Sequence, residues 1–167
     1  GSDGWLFLAD EQRRSCAPDF PFSAAFARWR ALVSEIRASG KAVLLLVVPD
    51  KSSIYPEHLA DVPDAECAAD GKADFWDLLE RQGSRTGIVP MRAAMLRRKR
   101  VAGDDLYARR DSHWTTLGSL ALTRAALDVV GRGVSLRAAE VHDPGREEYI
   151  GDLAALIGST EIDTRAQ

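Results

Sequence analysis

This sequence lacks several features that would settle its class at once. It has only two cysteines, Cys16 and Cys67. Two thiolates without nearby partner ligands do not fill a tetrahedral metal site. They are open to two readings, one disulfide in an oxidising compartment or two small apolar side chains in a reducing one. The longest apolar run, Ala42 to Val48, has 7 residues, against the ~20 needed to cross a bilayer. Charge of one sign is also missing. Lys and Arg total 22 and Asp and Glu 25, for a net charge of -3. That excludes a disordered acidic tail and gives no basic surface that argues for nucleic acid. There is no internal repeat and no low-complexity tract. Neither an initiating Met nor a signal peptide is present, so the chain reads as a mature or excised domain. With 167 residues, 46% of them apolar, residues 1–167 read as one globular domain.

What is present has the grammar of an α/β layered fold. Trp5 to Leu8 suits a short strand, and Ala9 to Pro21 reads as a polar loop. Ser23 looks like an N-cap. Phe26, Trp29, Val33 and Ile36 follow at spacings that share one helical face, and Gly40 stands where that helix would stop. The apolar run Ala42–Val48, closed by Pro49, reads as a strand buried on both faces. Helix, tight turn and buried strand in succession point to an α/β layered domain. Pro49 to Asp64 is expected to be a long loop and Ala73–Gln82 a short helix. Thr86–Pro90 reads as a second strand, Met91–Arg100 as a helix with a basic end, and Thr115–Val130 as a longer apolar helix. Gly131 to Gly145 is read as irregular, and Ile150–Ile157 as a last short helix. Two convincing strands and two weak ones are few for such a sheet, so either further strands are hidden in the sequence or the chain is part of a larger domain.

Two segments can carry chemistry. Ligands of open α/β sheets bind beyond the carboxyl ends of strands, and the strand ending at Val48 delivers Pro49-Asp50-Lys51-Ser52-Ser53-Ile54-Tyr55-Pro56 to that rim. Lys51 and Tyr55 are placed there to contact a polar substrate, with a solvated loop as the alternative. The second segment is Asp111-Ser112-His113-Trp114-Thr115. A carboxylate two residues from a histidine can fix the imidazole tautomer, leaving the other nitrogen to take a proton from a hydroxyl. The alternative is a helix cap beside an ordinary histidine. No Gly-x-Ser-x-Gly elbow supplies a nucleophile. Ser52 and Ser53 lack the small residues that expose one, and Ser159, in Gly158-Ser159-Thr160, lies near the C-terminus after a short helix. A metal triad of His58, His113 and His142 lacks local ligand spacing. Trp5, Trp29 and Trp76 read as core, with Trp114 beside the suspected site.

Taken in order, Asp3-Gly4-Trp5-Leu6-Phe7-Leu8, Val48 to Glu57, Leu106-Tyr107, Asp111 to Thr115 and Gly151-Asp152-Leu153 form a pattern. It resembles the SGNH hydrolase-like domain of the alginate and exopolysaccharide O-acetyltransferases, the AlgX/AlgJ-like family. The resemblance implies an SGNH-like α/β sandwich, a mainly parallel sheet between helices. It implies a periplasmic domain, sometimes membrane-anchored, that moves acetyl groups onto hydroxyls of a secreted polysaccharide. The donor would be relayed from a membrane-bound O-acyltransferase, with no metal or diffusible cofactor. Asp111 would orient and His113 would act as general base, with Lys51, Tyr55 and Trp114 toward the substrate. The family's nucleophilic serine lies in a Gly-rich segment with no counterpart after His113, so the chain is expected to stop short of it. An esterase or deacetylase of the same fold, and a non-catalytic carbohydrate-binding module, are the alternatives. A periplasmic setting favours a Cys16–Cys67 disulfide.

Overall fold

A computed structural model describes residues 1–59, 62–131 and 146–166. The elements run α1 (Ala9–Cys16), α2 (Phe22–Ala38), β1 (Leu45–Val47), α3 (Lys51–Ile54), α4 (Ala65–Thr86), β2 (Ile88–Pro90), α5 (Arg92–Lys99), α6 (Thr116–Val130), β3 (Arg146–Tyr149), α7 (Asp152–Leu156) and β4 (Asp163–Ala166). β1 and β2 pair in parallel, with Leu45 opposite Ile88 and Val47 opposite Pro90. Parallel strands need a crossover, and here α3 and α4 provide it. β3 and β4 form a separate antiparallel pair, Arg146 opposite Ala166 and Tyr149 opposite Asp163. The class is α/β as expected. The expected irregular stretch 131–145 and His142 lie outside the described residues, apart from Gly131, which closes α6.

Two apolar clusters form the core. Phe26 and Val33 of α2 pack with Trp76 and Leu79 of α4 and with Ile88 of β2, which is the helical face expected from their spacing. The second cluster joins Trp5, Ile54, Tyr55, Met95, Leu106 and Leu122. It packs the start of the chain against α3, α5 and α6, directly beneath the Asp-x-His segment.

Several expectations fail for physical reasons. Trp5–Leu8 is extended but pairs with no strand; its bond from Leu6 N–H goes to the Arg109 carbonyl at 2.9 Å. The expected loop at Ala9 contains α1. Its first turn carries Asp10 and Glu11 and its last Arg13 and Arg14, the charge order that complements a helix dipole. The expected Ala73–Gln82 helix is the middle of the 22-residue α4. Gly71 disguises it, because a glycine inside a helix reads as a break. Here a Cβ at Gly71 would run into the Ser15 carbonyl, so the glycine lets α1 and α4 touch. The loop from Pro49 holds α3 and a 3-10 turn at Pro56–His58. β1 is not buried on both faces: Leu45 and Val47 pack on the cluster between α2 and α4, while Leu46, and Leu44 just before the strand, lie on the other face and are 37% and 40% exposed.

Candidate active site

Tyr107 and Trp114 form an isolated antiparallel bridge, which folds residues 108–113 into a compact loop. Thr115 ends it as the N-cap of α6, its hydroxyl accepting from Gly118 N–H and donating to the Asp105 carbonyl at 2.9 Å. Within this loop Asp111 Oδ1 accepts from His113 N–H at 2.9 Å and meets His113 Nδ1 at 2.7 Å. A carboxylate only accepts, so Nδ1 carries the proton and Nε2 is left with its lone pair. The Asp111 side chain is 10% exposed and the His113 side chain 73% exposed. The pair is therefore anchored on one side and open on the other. Burial works to raise the Asp111 pKa, but the two bonds from His113 and one from Asp152 N–H hold it below the usual value.

Asp152, at the start of α7, closes the turn from outside. Its N–H donates to Asp111 Oδ2 at 3.2 Å, and its Oδ1 accepts from Ser112 N–H at 2.6 Å. Its Oδ2 lies 3.6 Å from His113 Nδ1. Gly151 allows the approach, since any Cβ there would strike the Arg110 carbonyl. Asp163 accepts from Arg110 N–H at 2.8 Å and pairs with its guanidinium at 3.1 Å. The Gly151-Asp152 motif was noted in the sequence, but its role was hidden because it lies 40 residues from Ser112 along the chain. Oxygen and nitrogen atoms of Asp111, His113 and Asp152 lie within 4.8 Å of one another, close enough to share a metal ion. The carboxylates are already engaged by hydrogen bonds in the turn.

Lys51 and Tyr55, expected at an open rim, are both buried, each 3% exposed, and Tyr55 also lines an open cavity of about 300 Å³ with Glu57, Lys99 and Arg109. The Lys51 ammonium donates to the carbonyls of Ala108 at 3.2 Å, Arg109 at 3.1 Å and Asp111 at 2.8 Å. Tyr55 Oη accepts from Leu106 N–H at 2.7 Å, and burial pushes its pKa up to about 12. Both hold the loop from below. Trp114, in contrast, is 43% exposed and presents an aromatic face next to His113.

The serines named from sequence are held elsewhere. Ser52, 2% exposed, donates to Asp50 Oδ1 at 2.7 Å and also contacts Glu11 and Lys72. Lys72 in turn pairs with Glu11 at 2.8 Å and Asp50 at 3.3 Å. Ser53 accepts from Trp76 Nε1 at 3.0 Å, and Ser159 accepts from Glu161 N–H at 3.2 Å. Ser112 Oγ lies 3.4 Å from His113, but at Nδ1 and while bonded to Asp152. His58 stacks on Trp5 with centroids 4.6 Å apart and contacts Ser2 and Asp3. It belongs to the packing under the loop.

An oriented Asp–His pair with one open imidazole nitrogen is chemically able to act as a general base. The model of the SGNH hydrolase-like domain of acetyltransferase AlgX matches residues 1–167. The chain belongs to that family. Curated relatives agree. "Probable alginate O-acetylase AlgJ" of Pseudomonas fluorescens is 28% identical over 119 residues, covering 71% of this chain and 29% of the relative. Its namesake in Pseudomonas syringae pv. tomato is 25% identical over 166 residues, covering 94% and 40%. The solved O-acetyltransferase domain of Pseudomonas putida AlgJ superposes with a TM-score of 0.69 at 21% identity, over 98% of this chain and 62% of that one. That likeness establishes the SGNH-like fold. The chain spans 29–40% of the length of these curated relatives.

Proposed function

We propose that this AlgX-family domain carries the Asp–His half of an acetyl-transfer site that acts on hydroxyl groups of a secreted polysaccharide of the alginate class. The observation that carries the reading is the Asp111 Oδ1 to His113 Nδ1 contact at 2.7 Å with His113 otherwise exposed. In the first half-reaction His113 Nε2 takes the proton of a serine hydroxyl, whose oxygen attacks the acetyl carbonyl. The leaving group departs with a proton from the imidazolium. In the second half, Nε2 takes the proton of a sugar hydroxyl, which attacks the acetyl-serine ester and regenerates the serine. Asp111 stabilises the imidazolium in both. None of the serines described above meets Nε2, so the nucleophile is read as lying outside the described arrangement. Trp114 offers a sugar ring an apolar face that also displaces water from the acyl-enzyme.

The Cys16–Cys67 disulfide supports action outside the cytoplasm, where such bonds persist. No described helix is long and apolar enough to cross a membrane. The acetyl donor in this reading is relayed from a membrane-bound O-acyltransferase.

The test is acetyl transfer from an activated acetyl ester to unacetylated alginate by the full-length protein. His113→Ala should lower the rate by about 100- to 10,000-fold while alginate binding persists. Transfer unchanged by that substitution overturns the reading. Ester turnover that needs His113 but ignores the polysaccharide would make the domain an esterase. The 167-residue chain alone is expected to turn over no ester. His113-dependent turnover by it would place the nucleophile among its own serines.

A further inference from the structure

Three separated sequence segments meet at one buried atom, the Nζ of Lys51. Trp5 and Phe7 supply ring faces at 5.7 and 5.2 Å. Lys51 itself opens α3, and residues 108–111 supply three carbonyls. An ammonium has three N–H groups and no acceptor. All three are used, and all three go to the loop that presents Asp111 and His113. The remaining carbonyl, of Arg110, is taken by Ala154 N–H at 3.1 Å, and that of Arg109 is shared with Leu6 N–H. Every carbonyl from Ala108 to Asp111 thus meets a donor, three of them on Lys51 and that of Arg110 on α7. With the backbone fixed in this way, the buried Asp111 side chain is held against the exposed His113 ring.

We propose that the Lys51 ammonium is the positioning group of the Asp111–His113 pair, and that the pair keeps its alignment only while Lys51 is protonated. A neutral amine has two N–H groups and a lone pair. The lone pair would face a carbonyl oxygen, so one of the three bonds becomes a repulsion and the loop turns away from it. Burial lowers the Lys51 pKa to about 8, opposed by the carboxylates that face it, Asp111 and Asp152 above, Glu11 from α1 and Asp163 from β4. The Arg109 guanidinium sits 5.8 Å from the centroid of the same Trp5 ring and adds a like charge nearby. The changeover therefore falls in a mildly alkaline range that a free lysine would not reach. The consequence for acetyl transfer rests on the function proposed above. The titration does not, so either can fail alone.

The experiment is an NMR titration of the isotopically labelled chain from roughly pH 7 to roughly pH 10, following the amides of Ala108 to His113 and the Lys51 Cε resonance. The expected result is one shared midpoint near pH 8 for the loop amides and for Lys51. Lys51→Arg, which stays charged, should keep the loop amides near their neutral-pH positions and remove that transition. Lys51→Met should displace them at every pH. Loop amides that do not move in the wild type, or that move with a midpoint different from that of Lys51 Cε, overturn the proposal. So does the same transition surviving in either variant. The wild-type comparison decides even if a variant fails to fold.

Discussion

Asp111 and Lys51 lie on either side of the same loop and respond to pH in opposite senses. The native Asp111 carboxyl holds its proton less tightly than the unfolded one. Its contribution is present above the unfolded pKa, near the ordinary carboxyl value of 3.8, and is lost as pH falls through the lower native value. Asp111→Asn should therefore lower stability by about 1–3 kcal/mol near neutrality. The gap between variant and wild type should close on acidification. Urea midpoints across pH measure this, and a gap independent of pH would deny the carboxylate its role. Lys51 has the reverse linkage. Its native pKa of about 8 lies below the ordinary lysine value of 10.5, so the unfolded chain binds more protons between those values. Its burial penalty is relieved as pH rises through that window, by on the order of 3 kcal/mol. The ammonium thus costs global stability at neutral pH while it holds one loop in place.

At the scale of elements, α1 and α4 form the outer wall of the site's support. They touch at Gly71 against Ser15, share the Glu11–Lys72 ion pair and are joined by the Cys16–Cys67 disulfide, whose cysteines are 51 residues apart. On the chain-entropy model, closing a loop of that length stabilises by roughly 3–5 kcal/mol. Thiol titration of the denatured, unreduced protein should find no free thiol, and reduction should lower the unfolding midpoint accordingly. Two titratable thiols would end the assignment. Glu11 and Asp50 both reach Lys72, and burial raises the Asp50 pKa less than Lys72 and the hydroxyl and amide bonds lower it. Ser52 is thereby committed to an ionic network joining α1, α3 and α4. That commitment is the physical reason it makes a poor nucleophile despite standing at a strand's carboxyl end.

For the molecule as a whole, the open flank of the parallel pair matters most. Leu46 of β1 and Leu44 just before it are exposed, and Leu156 and Ile157 are 73% and 68% exposed at the end of α7. Apolar surface beside an unpaired strand is a template for association. The isolated chain should show a weight-average mass that rises with concentration in sedimentation equilibrium. Replacing Leu44 and Leu46 with Lys should return it toward the 18.2 kDa monomer. A concentration-independent monomer would mean that this surface is inert.

Much of the α/β class, the α2 face, the parallel partners β1 and β2 and the capped α6 were legible from local pattern. Helical spacing, β-branched runs and capping residues act over a few positions. The Asp-x-His pair was legible for the same reason, because two residues apart in one turn is a local geometry. Lys51 and Tyr55 stand beside the Asp-x-His loop as expected, but buried rather than at an open rim. Sequence puts them at a strand's end, while only the packing of Trp5, Leu106 and the 108–111 carbonyls turns them inward. Asp152 and Asp163 were beyond reach because they meet the loop across 40 to 53 residues of chain. Local pattern alone thus determined several of the elements and the closeness of Asp111 to His113. Tertiary structure decided which polar groups face water and which are used up as internal donors, since burial is a property of the assembled layers.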